Sequence, residues 1–541
     1  MKRLCSLLLA ALLLLPLLPR PAAAAGGYPD VPDGWALPYI TRARECNLLL
    51  GNADGTFGYD RTITRAEFVT VLCRMFGWAQ ETPAAPSFAD LGDWYDGYVE
   101  AGLAHGAYDG AERFRPRDPI TRREMAVMLV RALGLNALAA QTGTDHLPFT
   151  DLTGDGGYIA LAYDMGMVNG VTPTTFVPEG TAKRQEAAAM LVRVYDRFTA
   201  GLDWVHGFYA FSSYSQRALA GQMDAVSYGW SRMTWDGARA ALDTADSEWR
   251  IPAGYDGITD YLDAQSVPAN LSVFMSAGCA GLLASETGRA QAAAAIAAEA
   301  VRPYELTGTS PYAGVTVDFE GLRAASRADF VLFLTALRAA LPADRLLYCA
   351  VQPLTADGDC YDGYDYRAIG ALCDRVILMA HDYAPVSMTG LVGAAWQHNA
   401  APAPLDQVWY ALRQITDAET GVEDRRKVAL ALSMGCEGWY VDENDRLTAA
   451  GKVTPTPETV ALRMSQSDTV PGFQDRSGCA YLRYTADDGR RVFLWYESER
   501  SVALKLLAAR MLGVTGVSLW RLGTIPTYEG WDVWQTVQDA R

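Results

Sequence analysis

Eight short apolar runs, each followed by a helix-like stretch, occupy the chain from Trp204 to Trp520 and leave it few folds. They read WVHGFYAF (204–211), AVSYGW (225–230), LSVFMS (271–276), GVTVDFE (314–320), RLLYCAVQP (345–353), RVILMAHDY (375–383), KVALALSMG (427–435) and GVTGVSLW (513–520). Unbroken apolar runs of this length suit strands buried on both faces, as in parallel sheets. Intervening segments such as RADFVLFLTALRAAL (327–341) supply the covering helices. The pattern predicts an α/β fold, a (β/α)8 TIM barrel. Residues 436–498 are more polar and aromatic, with CAYLRYT and RRVFLWYE as a hairpin, and read as a small α+β insertion after the seventh strand.

The fourth run carries Asp318 and Glu320 two positions apart. Residues i and i+2 of a strand face the same side, so two carboxylates would stand together at the strand's C-terminal end. Like charges this close repel unless a proton or partner relieves them. Barrels of this kind place their chemistry at that end. His381 and Asp382 end the sixth run, Trp520 the eighth and Tyr209 the first. Singly, Asp382 reads as a helix cap, His381 as a satisfied rim histidine and Trp520 as a core residue. Gathered on one rim with the carboxylate pair, they read as a site.

The first 200 residues repeat themselves. YPDVPDGW, FADLGDWY and FTDLTGDGGY open three similar stretches at Tyr28, Phe88 and Phe149. Each continues through a glycine-centred turn to an apolar helix, and such units bury their apolar faces only by packing together. Arg65, Arg122 and Arg184 recur at intervals of 57 and 62 residues, followed by Glu67, Glu124 and Glu186. Thr64 and Glu67 suit a capping box. The arginine in a first helical turn opposes the helix dipole and points to an anionic ligand.

The F-x-D-V openings, the NADGTF turn and TRAE resemble the S-layer homology domain in three copies. That resemblance implies an all-α N-terminal region, over residues 26–80, 81–140 and 141–198. It also implies non-covalent attachment to an anionic secondary cell-wall polysaccharide, through Arg65, Arg122 and Arg184. The third copy departs, with KRQE in place of TRAE at 183–186. Residues 199–541 resemble glycoside hydrolase family 18, on GVTVDFEGL, LMAHDY and GVSLWRLG, while FLWYESERS resembles its spore-cortex-lytic and other peptidoglycan-directed members. The resemblance implies substrate-assisted retaining hydrolysis beside N-acetylglucosamine. Glu320 would be the acid and base, and Asp318 would hold the substrate's acetamido N–H. His381 would donate to the acetyl oxygen, and Trp520, Asp382, Tyr209 and Met379 would bind the sugar. Ala313 and Thr316 replace the outer aspartates of D-G-x-D-x-D-x-E, and His381 the tyrosine of M-x-Y-D. Thr316 cannot share a proton with Asp318, and a protonated His381 would oppose a cationic intermediate.

Residues 1–25 read as a cleaved export signal: Lys2 and Arg3, an apolar core over 7–18, then alanines at 22–25. No later segment is long and apolar enough to span a bilayer. The net charge of −17 disfavours nucleic acid and anionic membrane as partners without excluding a local basic site. Eight cysteines remain after the leader, widely spaced and with no zinc-like pair, and no nucleotide loop appears, so neither metal nor cofactor is expected. The expectation is an exported glycosidase held on the bacterial cell wall and acting on peptidoglycan or chitin-type glycans. A lectin-like, non-catalytic binder of N-acetylated glycans is the alternative, and a purely structural surface-layer protein a third.

Overall fold

The computed structural model describes residues 27–245, 250–304, 308–356, 358, 361–385, 387–394 and 400–541. The leader expected over 1–25, Cys5 and Cys360 lie outside the described residues. The chain divides into two compact units, Met1–Ala139 with Gly143–Asp196, and Ala140–Thr142 with Arg197–Arg541.

The first unit is helical and threefold repetitive. Its helix pairs are Leu37–Glu45 and Arg65–Phe76, Asp96–Ala104 and Arg122–Ala132, and Gly156–Asp164 and Arg184–Phe198. Thr64 with Glu67 and Thr121 with Glu124 form complete capping boxes. In the third repeat Lys183 N–H still donates to Glu186 at 2.8 Å, so the carboxylate half of the cap survives the loss of threonine. Each repeat's opening aspartate fixes its own turn. Asp30 accepts from the N–H groups of Phe57, Gly58 and Tyr59, Asp90 from Phe114 and Arg115, and Asp151 from Phe176 and Val177. Single bridges Thr62–Lys183, Thr64–Pro119 and Thr121–Thr181 tie the repeats to one another.

The second unit is a closed barrel. Strands β1 (Trp204–Tyr209), β2 (Ala225–Trp235), β4 (Ala269–Met275), β5 (Gly314–Phe319), β6 (Leu346–Val351), β7 (Arg375–Leu378), β8 (Val428–Ser433) and β14 (Gly516–Trp520) pair in parallel, and β1 closes on both β14 and β2. The short β3 (Ala240–Asp243) folds back antiparallel on the end of β2. Helices such as Glu286–Ala300, Arg327–Ala340 and Glu499–Met511 alternate with the strands. Gly314 opens β5 where a Cβ would meet the carbonyl oxygen of Leu346 at 2.1 Å, so only glycine lets β5 lie this close to β6. Trp204, Phe208, Tyr348, Ile377, Ala429 and Ala431 belong to one buried apolar cluster of the barrel.

The insertion is a sheet of five antiparallel strands in the order β10-β9-β13-β12-β11. These are β9 (Glu437–Val441), β10 (Leu447–Val453), β11 (Val470–Gln474), β12 (Cys479–Thr485) and β13 (Arg491–Tyr496). The expected hairpin is β12–β13, paired from Ala480–Tyr496 to Thr485–Arg491. Trp439, Phe493 and Trp495 pack with Ala384, Met388 and Ala400 from the loop after β7, which anchors the insertion beside the C-terminal end of the barrel. The seven described cysteines are all free thiols. No helix among the described residues is long and apolar enough to cross a membrane.

Candidate active site

On β5, Thr316 and Asp318 face the barrel interior in successive layers. Thr316 Oγ1 lies 2.6 Å from Ser227 Oγ, and Ser227 Oγ lies 2.8 Å from His206 Nε2. His206 Nδ1 lies 2.8 Å from Ser518 Oγ, and Asn270 Nδ2 reaches Thr316 Oγ1 at 3.4 Å. Burial pushes His206 down to about 3, so this network is neutral. Thr316 is thus tied downward into hydrogen bonds and leaves Asp318 alone above it.

Asp318 is 5% exposed, and its Oδ1 has no hydrogen-bond partner among the described residues. Burial, with the neighbouring Glu320 adding to it, raises Asp318 to about 8. Burial also raises Glu320, against an opposing pull from His381 and with a further push from Asp382. Both carboxyls are thus held above their ordinary values, Asp318 by burial and its neighbour and Glu320 by burial, the direction a general acid needs. Glu320 lies one residue beyond β5. Its N–H donates to Met275 O at 2.8 Å, and the following Gly321, at φ +75°, donates to Gln352 Oε1 at 2.6 Å. Tyr364 closes the arrangement by donating to Phe319 O at 2.7 Å.

Two cavities meet at Glu320. One, about 410 Å³, is lined by Tyr209, Phe211, Ser272, Asp318, Trp520 and Arg521 among others. The other, about 380 Å³, is lined by Gln352, Tyr361, Met379, His381 and Asp382. Glu320 is common to both, as a proton donor between two sugar positions would be. Trp520 ends β14 with its side packed edge-on against Phe208 at 5.2 Å, and it is 39% exposed. Tyr209 borders the first cavity, but its ring packs edge-on against Tyr228 and Trp230 at 5.9 and 6.4 Å, away from the interior-facing His206 and Phe208; burial raises its hydroxyl to about 12, and it makes no bond to Asp318 Oδ1.

The sequence placed His381 and Asp382 on a strand end, but β7 stops at Leu378. The backbone turns sharply there, with Ala380 N–H bonding Leu378 O and His381 N–H bonding Met379 O, which takes the segment off the ladder. His381 Nδ1 lies 2.9 Å from Asp382 Oδ2, and Asp382 sits at φ +60°. Burial raises Asp382, but the hydrogen bond and charge of His381 and the charge of Lys452 outweigh it and hold Asp382 low. Site residues expected on one rim thus divide: Asp318, Tyr209 and Trp520 on one side of Glu320, Met379, His381 and Asp382 on the other. Gln352, Phe211 and Arg521 were not singled out from sequence. Among the described residues no group of three His, Cys, Asp or Glu side chains is placed to hold a metal.

In the first unit the three repeated arginines reach the next repeat in a ring. Arg65 donates to Phe114 O at 2.9 Å and pairs with Glu124. Arg122 donates to Phe176 O at 2.9 Å and to Asn169 O. Arg184 donates to Leu50 O at 2.7 Å and pairs with Glu67 at 3.0 Å. Each guanidinium also covers a turn phenylalanine, Phe114, Phe176 or Phe57, at 4.6 to 5.0 Å. Arg65 and Arg184 are 8% and 5% exposed, so much of their hydrogen-bonding capacity serves repeat packing. Arg184 nonetheless lines a groove of about 170 Å³ with Asn52, Glu67, Arg74 and Trp94.

Comparison with known proteins agrees with this division. The profile of the glycosyl hydrolases family 18 matches residues 209–524, and that of the S-layer homology domain matches 27–69, 88–126 and 148–188. An S-layer protein of Bacillus thuringiensis subsp. finitimus is 32% identical over 188 residues, 33% of this chain and 22% of its own length. The cortical fragment-lytic enzyme of Bacillus subtilis (strain 168) is 26% identical over 211 residues, 38% of this chain and 45% of its own. The chain spans less than half the length of the curated relatives it matches, from 9% to 49%. The C-terminal domain of a chitinase-named protein from Desulfitobacterium hafniense DCB-2 shares the fold. Its TM-score is 0.50 at 19% identity, over 62% of this chain and 99% of that one.

Proposed function

The chain belongs to the glycosyl hydrolases family 18 and carries three S-layer homology domains, and from that we propose a cell-surface glycosidase that cuts β-1,4 bonds beside N-acetylglucosamine. The observation that carries this reading is Asp318: buried, lacking a partner at Oδ1, and next to an acid that faces two cavities. An acetamido N–H entering the first cavity finds its acceptor there. Once so held, the acetyl oxygen sits under the anomeric carbon and serves as the internal nucleophile, a gain of proximity rather than of basicity. Glu320 donates its proton to the glycosidic oxygen at the junction of the cavities. It then takes a proton from the water that opens the oxazolinium intermediate. Trp520 offers its open face to the sugar ring. His381 and Asp382 line the second cavity, on the leaving-group side, so the donation from His381 to the acetyl oxygen expected from sequence is not part of this reading.

Peptidoglycan is the substrate this reading favours. Support comes from the S-layer homology domains, which would keep the chain on the wall through an anionic polysaccharide, and from a relative named for lysis of cortical fragments. Arg65, Arg122 and Arg184, with the groove beside Arg184, are the proposed polymer contacts, and export by the leader is part of the same reading. The test is release of new reducing ends from N-acetylglucosamine oligomers and from peptidoglycan glycans. Glu320→Gln should lower the rate by about a hundredfold or more. Equal turnover in both proteins would remove Glu320 from the mechanism, and binding without turnover in the wild type would make the barrel a lectin.

A further inference from the structure

The larger cavity contains a cation that hydrolysis of a neutral sugar does not use. Arg521 follows β14 directly and lines the cavity beside Asp318, Glu320 and Trp520. Its Nη1 donates to Ser212 Oγ at 2.8 Å, which orients the guanidinium. Burial lowers its basicity, and among the described residues it forms no ion pair, although Asp318 and Glu320 line the same cavity. A second arginine, Arg250, lies 6.0 Å from the ring of Phe211, which lines the cavity. Phe211 is 42% exposed. Some exposed arginines of this unit meet carboxylates, as Arg426 meets Asp424 and Arg490 meets Asp488.

In a chain of net charge −17, a guanidinium that lines a sugar cavity without an ion pair is a ready partner for an anion from outside. Arginine's planar fork fits a carboxylate in two parallel hydrogen bonds, and a half-buried one strengthens them. We infer that Arg521 makes this cavity selective for glycans whose N-acetylhexosamines carry a carboxylate, on a lactyl ether or on a peptide attached to it. The inference rests on the glycosidase reading for its substrate and adds the residue that sets the preference.

The test compares kcat/KM of the full chain on three soluble glycans freed of other wall polymer. These are neutral N-acetylglucosamine oligomers, peptide-free peptidoglycan strands with the lactyl carboxylate exposed, and strands that keep their stem peptides. Arg521→Gln should lower the anionic-to-neutral ratio by about tenfold or more, mostly through KM, the size expected for a charge-assisted hydrogen bond. Arg521→Lys should keep most of the ratio, and added salt should narrow it in the wild type. Loss confined to peptide-free strands assigns the lactyl carboxylate, and loss confined to peptide-bearing strands assigns the peptide. A ratio within twofold of wild type on both strands overturns the inference. If the wild type cuts none of the three, the glycosidase reading falls and the ratio is taken from equilibrium binding. A charge preference that Arg521→Gln abolishes still upholds the inference, and no preference overturns it.

Discussion

Replacing Asp318 with asparagine should stabilise the barrel at neutral pH while destroying activity. The folded chain raises Asp318 from 3.8 to about 8, so between those values it keeps a proton that the unfolded chain releases. Stability then falls as pH rises, by about 1.36 kcal/mol per unit. Over about three units, from the unfolded value to pH 7, the penalty reaches about 4 kcal/mol. His206 works in the opposite sense: burial lowers it to about 3, so between that value and 6.5 the unfolded chain binds the extra proton and stability rises with pH. The two slopes roughly cancel from pH 4 to 6.5, and above that the slope of Asp318 remains, with the raised Glu320 acting in the same sense in wild type and variant alike. Asp318 by itself should lower wild-type stability by about 2 kcal/mol between pH 6.5 and 8. Asp318→Asn keeps His206 and has nothing to titrate, so the stability gap between variant and wild type isolates Asp318. Calorimetry at pH 5, 6.5 and 8 should show that gap widening by about 4 kcal/mol in favour of asparagine. A gap independent of pH, or an asparagine variant less stable at pH 8, would refute the reasoning. Stability gained where function is lost is what a site built around a buried carboxyl should give.

Trp520→Ala should raise KM for N-acetylglucosamine oligomers about tenfold by removing the open ring face, with a smaller effect on kcat; unchanged KM would take Trp520 out of the sugar site. Because Glu320 must be protonated and is held above its ordinary range, kcat/KM should fall on the alkaline side. In Asp382→Asn that limb should move to lower pH, since a negative charge that favours the proton is gone; a shift to higher pH would contradict the assignment. Arg184→Ala should destabilise the first unit by about 2 kcal/mol, because Leu50 O loses its donor and Glu67, still paired with Arg61 at 2.7 Å, loses one of two cationic partners. A thermal midpoint unmoved in that unit would show the ring of arginines to be dispensable for packing.

Much of the barrel could be read from sequence because parallel strands are buried on both faces, and their runs stand out without any alternation to decode. What could not be read depends on partners distant in the chain. The end of β2, residues 231–235, and β3 escape because they form a local hairpin at the rim with mixed polarity. Asp318 and Glu320 were visible from their spacing on one strand. The two cavities were not, since the division arises where β7 stops at Leu378 and the chain turns. Arg65 invited an external anion because the capping box left it unexplained. Its actual partners, Phe114 O and Glu124, lie 49 and 59 residues away and arrive only when the repeats pack. Arg521 had no signal of its own beyond lying next to Trp520, because its place in the cavity without an ion pair is a property of the fold.

The account turns on an acetamido group acting as nucleophile while Asp318 holds it. The most direct measurement is the anomeric configuration of the reducing ends first released from N-acetylglucosamine oligomers, followed by proton NMR before mutarotation. Retention, with the β-anomer formed first, is the predicted result. An α-anomer formed first would mean that water attacks directly opposite the leaving group, and would contradict the role given to Asp318.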